Sequence, residues 1–158
     1  MNKKYLLISL AGCALIGLSF VTSKKLIFNV TESVPIGLYW VQDLENVHKG
    51  SLIVFRLNNA WLIKEVAGIQ GDLFCVNANG DFKVNDQILG KTRTVDSHGK
   101  PLKRVGGCQK IAAEEWVVRG YGERSFDSRY FGTVKRRDVL CKAIPIGEKI
   151  LERMRKAR

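Results

Sequence analysis

The sequence predicts a mostly β domain behind one N-terminal transmembrane helix, and three observations lead to this fold class. The chain has 158 residues, which suffice for one domain with a hydrophobic core but not for two ordinary domains. After residue 50, short apolar, β-branched runs alternate with Gly, Asn and Asp, as is typical of strands joined by turns. A single long uncharged run, Tyr5 to Val21, precedes them.

Composition and charge exclude several classes of protein. Hydrophobic residues make up 46% of the chain, which excludes a disordered tail, a collagen and a disulfide-dense miniprotein. With 26 Lys and Arg against 15 Asp and Glu, the net charge is +11, so nucleic acid or an anionic membrane is a conceivable partner. Because aromatic residues are not interleaved with the basic ones, stacking sites are missing and no nucleic-acid partner is predicted.

Residues 1–25 are predicted to form a membrane anchor or signal segment. The apolar run is about 25 Å long as a helix, slightly short of a hydrocarbon core of about 30 Å, and flanking Lys side chains can snorkel to cover the difference. A cleaved signal peptide and an uncleaved anchor both fit. The anchor is favoured because no small-x-small cleavage site precedes Lys24. Residues 26–158 then form one domain on the periplasmic side of the inner (cytoplasmic) membrane.

The remaining elements follow from hydrophobic periodicity and turn residues. Gly71-Asp72 and Asn79-Gly80-Asp81 are turn signals. Residues 90–107 are polar and basic, and are expected to form an exposed insertion or long loop. A helix with one apolar face is predicted over 147–158. Strands are predicted over Ser51–Leu57, Trp61–Ile69, Leu73–Val76, Phe82–Val84, Gln87–Leu89, Glu115–Arg119 and Val139–Ile146.

Three segments contain the candidate reactive residues: 29–39, 61–72 and 120–132. Each is ambiguous alone, since a Ser before a Pro is usually a turn residue and a strand Lys usually faces solvent. His48 and His98 have no metal-ligand spacing with the cysteines, and no Gly-rich phosphate loop is present. No metal site and no cofactor are therefore predicted.

In order and content these segments resemble the type I signal peptidases, most closely the TraF-type branch that serves conjugative transfer. The motifs that carry the resemblance are Ser-x-Pro-x-Gly-x-Tyr from Ser33, a Gly-initiated strand from Gly50, Lys64 ahead of Gly71-Asp72, and Ser-x-Asp-Ser-Arg-x-x-Gly from Ser125. The resemblance runs from the apolar segment to about Ile144. The chain departs from the family pattern at Ser51, Glu65, Gln70 and Gly122-Glu123-Arg124.

The resemblance implies a signal-peptidase-like β-barrel in which Ser33 is the nucleophile, Lys64 its general base, and Ser125 the residue that orients the amine. A serine hydroxyl needs such a base, and a lysine serves only when it is neutral. Burial against apolar neighbours would lower the pKa of Lys64 enough. We expect these apolar neighbours to be Leu62, Ile63, Val66 and Trp61. Glu65 is expected to point to the opposite face of the strand.

The resemblance also assigns the supporting residues. The backbone N–H of Ser33 and the hydroxyl of Thr31 match the family's oxyanion positions. Asp127 and Arg129 are expected to form an ion pair that holds the last motif in place. Among the cysteines, Cys75 and Cys108 are the preferred disulfide pair if the domain is exported, although Cys141 allows two other pairings.

The implied function is a membrane-anchored serine endopeptidase that removes signal or propeptide segments from exported conjugative-transfer proteins such as pilin. Its partners would be these precursors and the lipid bilayer. An acyl-enzyme can yield a linear product with water or a cyclic one with an amine. The alternatives are a general signal peptidase, a LexA-like self-cleaving repressor, which would need a DNA-binding region in place of the apolar segment, and a non-enzymatic basic transfer or assembly protein.

Overall fold

The structure is a computed structural model, and it describes residues 26–147 together with Glu152 and Lys156. The predicted membrane segment over 1–25 lies outside the described residues. Within the described part of the chain, no helix has the length and apolar character needed to cross a membrane. Eleven strands are described there: β1 (Leu26–Asn29), β2 (Gly37–Gln42), β3 (Leu52–Leu57), β4 (Ala60–Gly68), β5 (Leu73–Val76), β6 (Asp81–Val84), β7 (Gln87–Lys91), β8 (Gly107–Lys110), β9 (Glu115–Arg119), β10 (Val134–Lys135) and β11 (Val139–Pro145).

The strands form two antiparallel sheets. The larger has seven strands in the order β1-β2-β11-β3-β4-β9-β10, and the smaller has four in the order β7-β6-β5-β8. A one-turn helix, α1 (Ser128–Phe131), follows β9, and a 3₁₀ turn (Arg136–Asp138) follows β10. The mostly β class predicted from the sequence is confirmed. The resemblance implied a β-barrel, whereas the described strands form two sheets, with β1 and β10 at the edges of the larger one.

The core explains why β3 and β4 lie at the centre of the large sheet. Leu52 and Val54 belong to one hydrophobic cluster, and Ile53 and Phe55 to another on the opposite face. Because successive side chains of a strand point to opposite faces, a run that is apolar at every position is buried on both sides. A third cluster around Phe74 and neighbours from the small sheet packs against Val117 of β9.

The seven predicted strands are all present: two have the predicted ends, Leu73–Val76 and Glu115–Arg119, and the others differ by one or two residues. The sequence patterns missed β1, β2, β8, β10 and α1. All four residues of β8 are exposed and β10 has only two residues, so neither carries an alternating apolar pattern. Most of the helix predicted over 147–158 lies outside the described residues. Within it Glu152 and Lys156 are helical and form an ion pair of 2.8 Å.

The predicted insertion is an exposed loop over residues 92–106, since residues 90 and 91 belong to β7 and residue 107 begins β8. A disulfide joins Cys75 of β5 to Cys108 of β8, which are register partners. This is the pairing preferred from the sequence, and Cys141 is a buried free thiol. The disulfide therefore fixes the end of the insertion to the small sheet.

Removing this disulfide should lower the free energy of unfolding. Cys75 and Cys108 are 33 positions apart, and a cross-link over such a loop stabilises by about 3–4 kcal/mol through the unfolded chain. We expect Cys75→Ser combined with Cys108→Ser to show a loss of this size in urea unfolding. A reductant should reproduce the loss in the wild type and leave the double variant unchanged. Equal unfolding midpoints for the wild type with and without reductant would contradict the assignment.

Candidate active site

Lys64 lies in the middle of β4 opposite Ile53 of β3, and its side chain is only 2% exposed. Its Nζ lies 2.5 Å from Oγ of Ser33 and 2.8 Å from Oγ of Ser125. The structure thus brings together three residues that are 31 and 61 positions apart in the chain. The amine has two hydroxyl partners in a place where water is largely excluded.

Burial lowers the pKa of Lys64 from 10.5 to about 8, because an apolar environment disfavours the charged ammonium. The Asp127 carboxylate acts against this and raises the pKa, and the Arg129 guanidinium lowers it. Of the expected apolar surroundings, Val66 and Leu62 lie on the same face of β4 as Lys64 and pack in the cluster of Ile53. Ile63 departs from the expectation, because it packs in the cluster on the opposite face. Trp61 departs from that expectation, because it is 56% exposed and lines the cleft beside Ser33.

Ser33 lies in the loop between β1 and β2, and its carbonyl accepts a hydrogen bond of 2.8 Å from the backbone N–H of Tyr121. No acceptor for the Ser33 N–H occurs among residues 26–147. Thr31 lines the same cleft as Ser33. Its hydroxyl donates to Oδ1 of Asn29 at 2.9 Å. Both predicted oxyanion donors therefore belong to the loop that carries Ser33, although the Thr31 proton is directed at Asn29.

Gly120 leaves the space that Ser125 occupies. A Cβ at position 120 would lie 2.0 Å from Oγ of Ser125 and 3.0 Å from the carbonyl oxygen of Ser33. Ser125 itself is 6% exposed, and its N–H donates to the carbonyl of Gly122 at 2.9 Å. A side chain at position 120 would therefore displace the hydroxyl that bonds Lys64.

Asp127 and Arg129 form a buried ion pair directly after Ser125. The guanidinium donates to both carboxylate oxygens, at 2.8 and 2.9 Å, and the two side chains are 0% and 5% exposed. Arg129 also donates to the carbonyls of Ser125 and Lys91, while Asp127 accepts the N–H of Gly120. Through these bonds the ion pair connects the backbone of Gly120 and of Ser125 to Lys91 in β7 of the small sheet.

The insertion supports the same motif, which sequence reasoning did not predict. The N–H of Val105 donates to the carbonyl of Arg129, and the N–H of Arg93 donates to the hydroxyl of Tyr130. These contacts join segments that are more than 20 positions apart, and nothing in the local sequence pattern signals them.

A second buried ion pair lies on the other face of β4. Both Nε and Nη2 of Arg119 donate to Oε1 of Glu65, and the Tyr121 hydroxyl donates to Oε2. Glu65 therefore engages residues on the face opposite Lys64, as strand alternation predicts. Its role beside the site was missed because the partners become neighbours only through the pairing of β4 with β9.

The cleft beside Ser33 is mostly apolar. It lies between β1 and the first half of β4, where Phe28 and Trp61 are exposed, and it reaches Leu140 of β11. Since β9 pairs only with Glu65 to Gly68, residues 60–64 have a single strand partner among the residues that the structure describes. β1 likewise pairs only with β2 there, so two strand edges face the cleft.

Breaking the Asp127–Arg129 pair should strongly destabilise the fold. Asp127→Asn leaves the buried guanidinium without its counter-charge, and removal of one partner of a buried pair costs about 3–5 kcal/mol. We expect that loss in urea unfolding. Arg136→Gln serves as the control, because it breaks the exposed pair with Glu114 and should cost less than about 1 kcal/mol. Losses of equal size in the two variants would contradict the supporting role of the buried pair.

Comparisons with known proteins identify the family of the chain. The family model of signal peptidases, peptidase S26, matches residues 2–146. The chain is similar to two plasmid transfer proteins TraF from Escherichia coli. It is 26% identical to the first, over 86% of this chain and 89% of the relative, and 24% identical to the second, over 75% and 80%.

A solved structure also aligns with the chain. It is a crystal structure of a signal peptidase I from Enterococcus faecalis, with 21% identity and a TM-score of 0.43, and the alignment covers 63% of this chain and 97% of that one. Since the family model covers nearly the whole sequence, the family is established by the sequence match. The chain belongs to the signal peptidase family S26 and is a serine peptidase of that family.

Proposed function

We propose that Ser33 and Lys64 form a catalytic dyad that cleaves peptide bonds through an acyl-enzyme. The observation that carries this proposal is the buried Lys64 amine, which lies within hydrogen-bond distance of both the Ser33 and Ser125 hydroxyls. A pKa of about 8 leaves roughly one amine in ten neutral at pH 7, which makes the base available near neutral pH.

The reaction follows from this arrangement. Lys64 takes the hydroxyl proton of Ser33, and Oγ attacks the scissile carbonyl carbon. The N–H of Ser33 and the hydroxyl of Thr31 stabilise the resulting oxyanion. As the C–N bond breaks, the Lys64 ammonium returns its proton to the leaving amine, and the substrate's acyl group remains on Ser33. Water, deprotonated by Lys64, then hydrolyses the ester and restores the hydroxyl.

The cleft favours an extended peptide as substrate. Its two flanking strand edges, β1 and residues 60–64 of β4, offer backbone hydrogen bonds to a chain laid between them. Its apolar lining suits the small or apolar side chains that precede a signal-peptide cleavage site. Ser125 orients the Lys64 amine, and the Asp127–Arg129 pair fixes Ser125 in turn.

The biological substrates, in this proposal, are precursors of exported conjugative-transfer proteins, including pilin-like subunits. The similarity to plasmid transfer proteins TraF supports this choice. Residues 1–25 would anchor the enzyme in the inner membrane with its catalytic domain in the periplasm. Ser33 follows Val21 by 12 positions, which limits its distance from the bilayer to about 40 Å. Where the segment held on Ser33 is the mature chain, released from a C-terminal propeptide, attack by its own N-terminal amine in place of water would expel Ser33 and give a cyclic product.

Cleavage of a pilin-like precursor tests the proposal. Co-expression of the precursor with the wild-type chain should give a product whose intact mass lacks the leader. Ser33→Ala and Lys64→Met should leave the precursor uncut, since one removes the nucleophile and the other the base. A product lighter by one further water would show cyclisation. Ser128→Ala is a matched control, because the Ser128 hydroxyl accepts the backbone N–H of Val118, whereas the Lys64 amine bonds Ser33 and Ser125.

A general signal peptidase would use the same residues on other substrates. Equal cleavage of a pilin-like precursor and an unrelated secretory precursor would favour that alternative. Cleavage that survives in Ser33→Ala, or no cleavage of either precursor by the folded wild type, would contradict the proposed function.

A further inference from the structure

Asn29 is a buried polar residue that the mechanism above does not use. It is the last residue of β1, is 6% exposed, and pairs in register with Gly37 of β2. Residues 30–36 between these two strands include Ser33, so Asn29 lies at the base of the loop that carries the nucleophile.

The Asn29 side chain bonds to this loop on both sides of Ser33. Its Nδ2 donates to the carbonyls of Thr31, Val34 and Pro35, at 2.7, 2.9 and 3.2 Å. Because only the amide nitrogen can donate to carbonyls, the orientation of the amide is fixed. The Pro35 carbonyl has a second donor in the Tyr39 hydroxyl, whereas those of Thr31 and Val34 have no other side-chain donor among residues 26–147.

The carbonyl oxygen of the same amide holds Thr31. Oδ1 of Asn29 accepts the backbone N–H of Thr31 at 3.2 Å and its hydroxyl at 2.9 Å. The two bonds fix both the backbone and the χ1 angle of Thr31, so the position of its hydroxyl in the cleft depends on one neighbouring side chain. When an oxyanion forms, the hydroxyl proton can rotate from neutral Oδ1 to the negative oxygen, since charge-assisted bonds are stronger.

We propose that Asn29 is a positioning residue that holds the Thr31 hydroxyl for oxyanion stabilisation. This inference rests on the proposed dyad. Asn29 contacts no reacting atom itself, and it acts through Thr31. Its loss should therefore slow acylation of Ser33, and should have little further effect once the Thr31 hydroxyl is absent.

The test is the acylation rate of Ser33 in the full-length chain. p-Nitrophenyl acetate is the probe, and intact mass reports one acetyl group on the protein. Removal of one oxyanion donor slows reactions by roughly 10²–10³-fold, so Thr31→Val and Asn29→Ala should each slow acylation by roughly 10²-fold. The acylation rate of the double variant should be less than about threefold below that of the slower single variant, because the effects of substitutions at coupled residues do not add. Thr31→Ser should retain most of the wild-type rate.

Asn77 provides a matched control. It lies in the turn between β5 and β6, and its amide exchanges two hydrogen bonds of 2.8 Å with Asp81. Asn77→Ala should lower thermal stability and leave the acylation rate within about twofold of the wild type. If Asn29→Ala does not fold, Asn29→Asp replaces it. Its carboxylate cannot donate to the loop and holds the Thr31 proton more tightly, so acylation should again be slow.

The outcomes separate this inference from the function on which it rests. If the folded wild type gains no acetyl group that Ser33→Ala lacks, the proposed dyad is wrong, and this inference falls with it. If the wild type is acylated and the folded Asn29 variant reacts within twofold of it, the role of Asn29 alone is overturned. The role of Asn29 would also be overturned if the double variant lost acylation rate by the product of the two single-variant losses, those of Asn29→Ala and Thr31→Val.

Discussion

The burial of one amine is the constraint on which the site depends. An ammonium group is costly to remove from water, so burial of Lys64 in β4 shifts the amine toward its neutral form and requires hydrogen-bond partners. Ser33 and Ser125 supply them. Gly120 leaves room for the second hydroxyl, and the Asp127–Arg129 pair fixes its backbone. The site is thus a set of contacts that hold a lysine of lowered pKa beside a serine.

The charges around Lys64 largely oppose one another. Asp127 raises the pKa of Lys64 and Arg129 lowers it, which leaves burial as the dominant cause of the value near 8. Because an unfolded lysine titrates near 10.4, the unfolded chain binds more protons between pH 8 and 10.4. The contribution of Lys64 to stability therefore rises with pH through this window. It is smallest below pH 8, where the buried amine must carry a charge.

Strand patterns predicted the centre of the fold but missed three edge strands, β1, β8 and β10. The continuous apolar run of β3 and the position of Lys64 in β4 follow from local sequence, and so does the placement of Glu65 on the face opposite Lys64. The assignment of Ser33, Lys64 and Ser125 to one site came from ordered motifs, since spacing alone left each ambiguous. The bonds of Asn29 depend on the conformation of an irregular loop, and the support of Arg129 by the insertion depends on a tertiary contact. Hydrophobic periodicity encodes neither.

The most direct test of the account is the titration of the Lys64 amine itself. NMR of the chain with ¹³C-labelled lysine ε-carbons, with the Lys64 signal identified by its loss in Lys64→Met, follows that group alone as pH is varied. The account predicts a midpoint near pH 8, well below the exposed lysines near 10.4. A Lys64 midpoint at or above 10 would contradict it, because the amine would then be charged at every pH at which Ser33 needs a base.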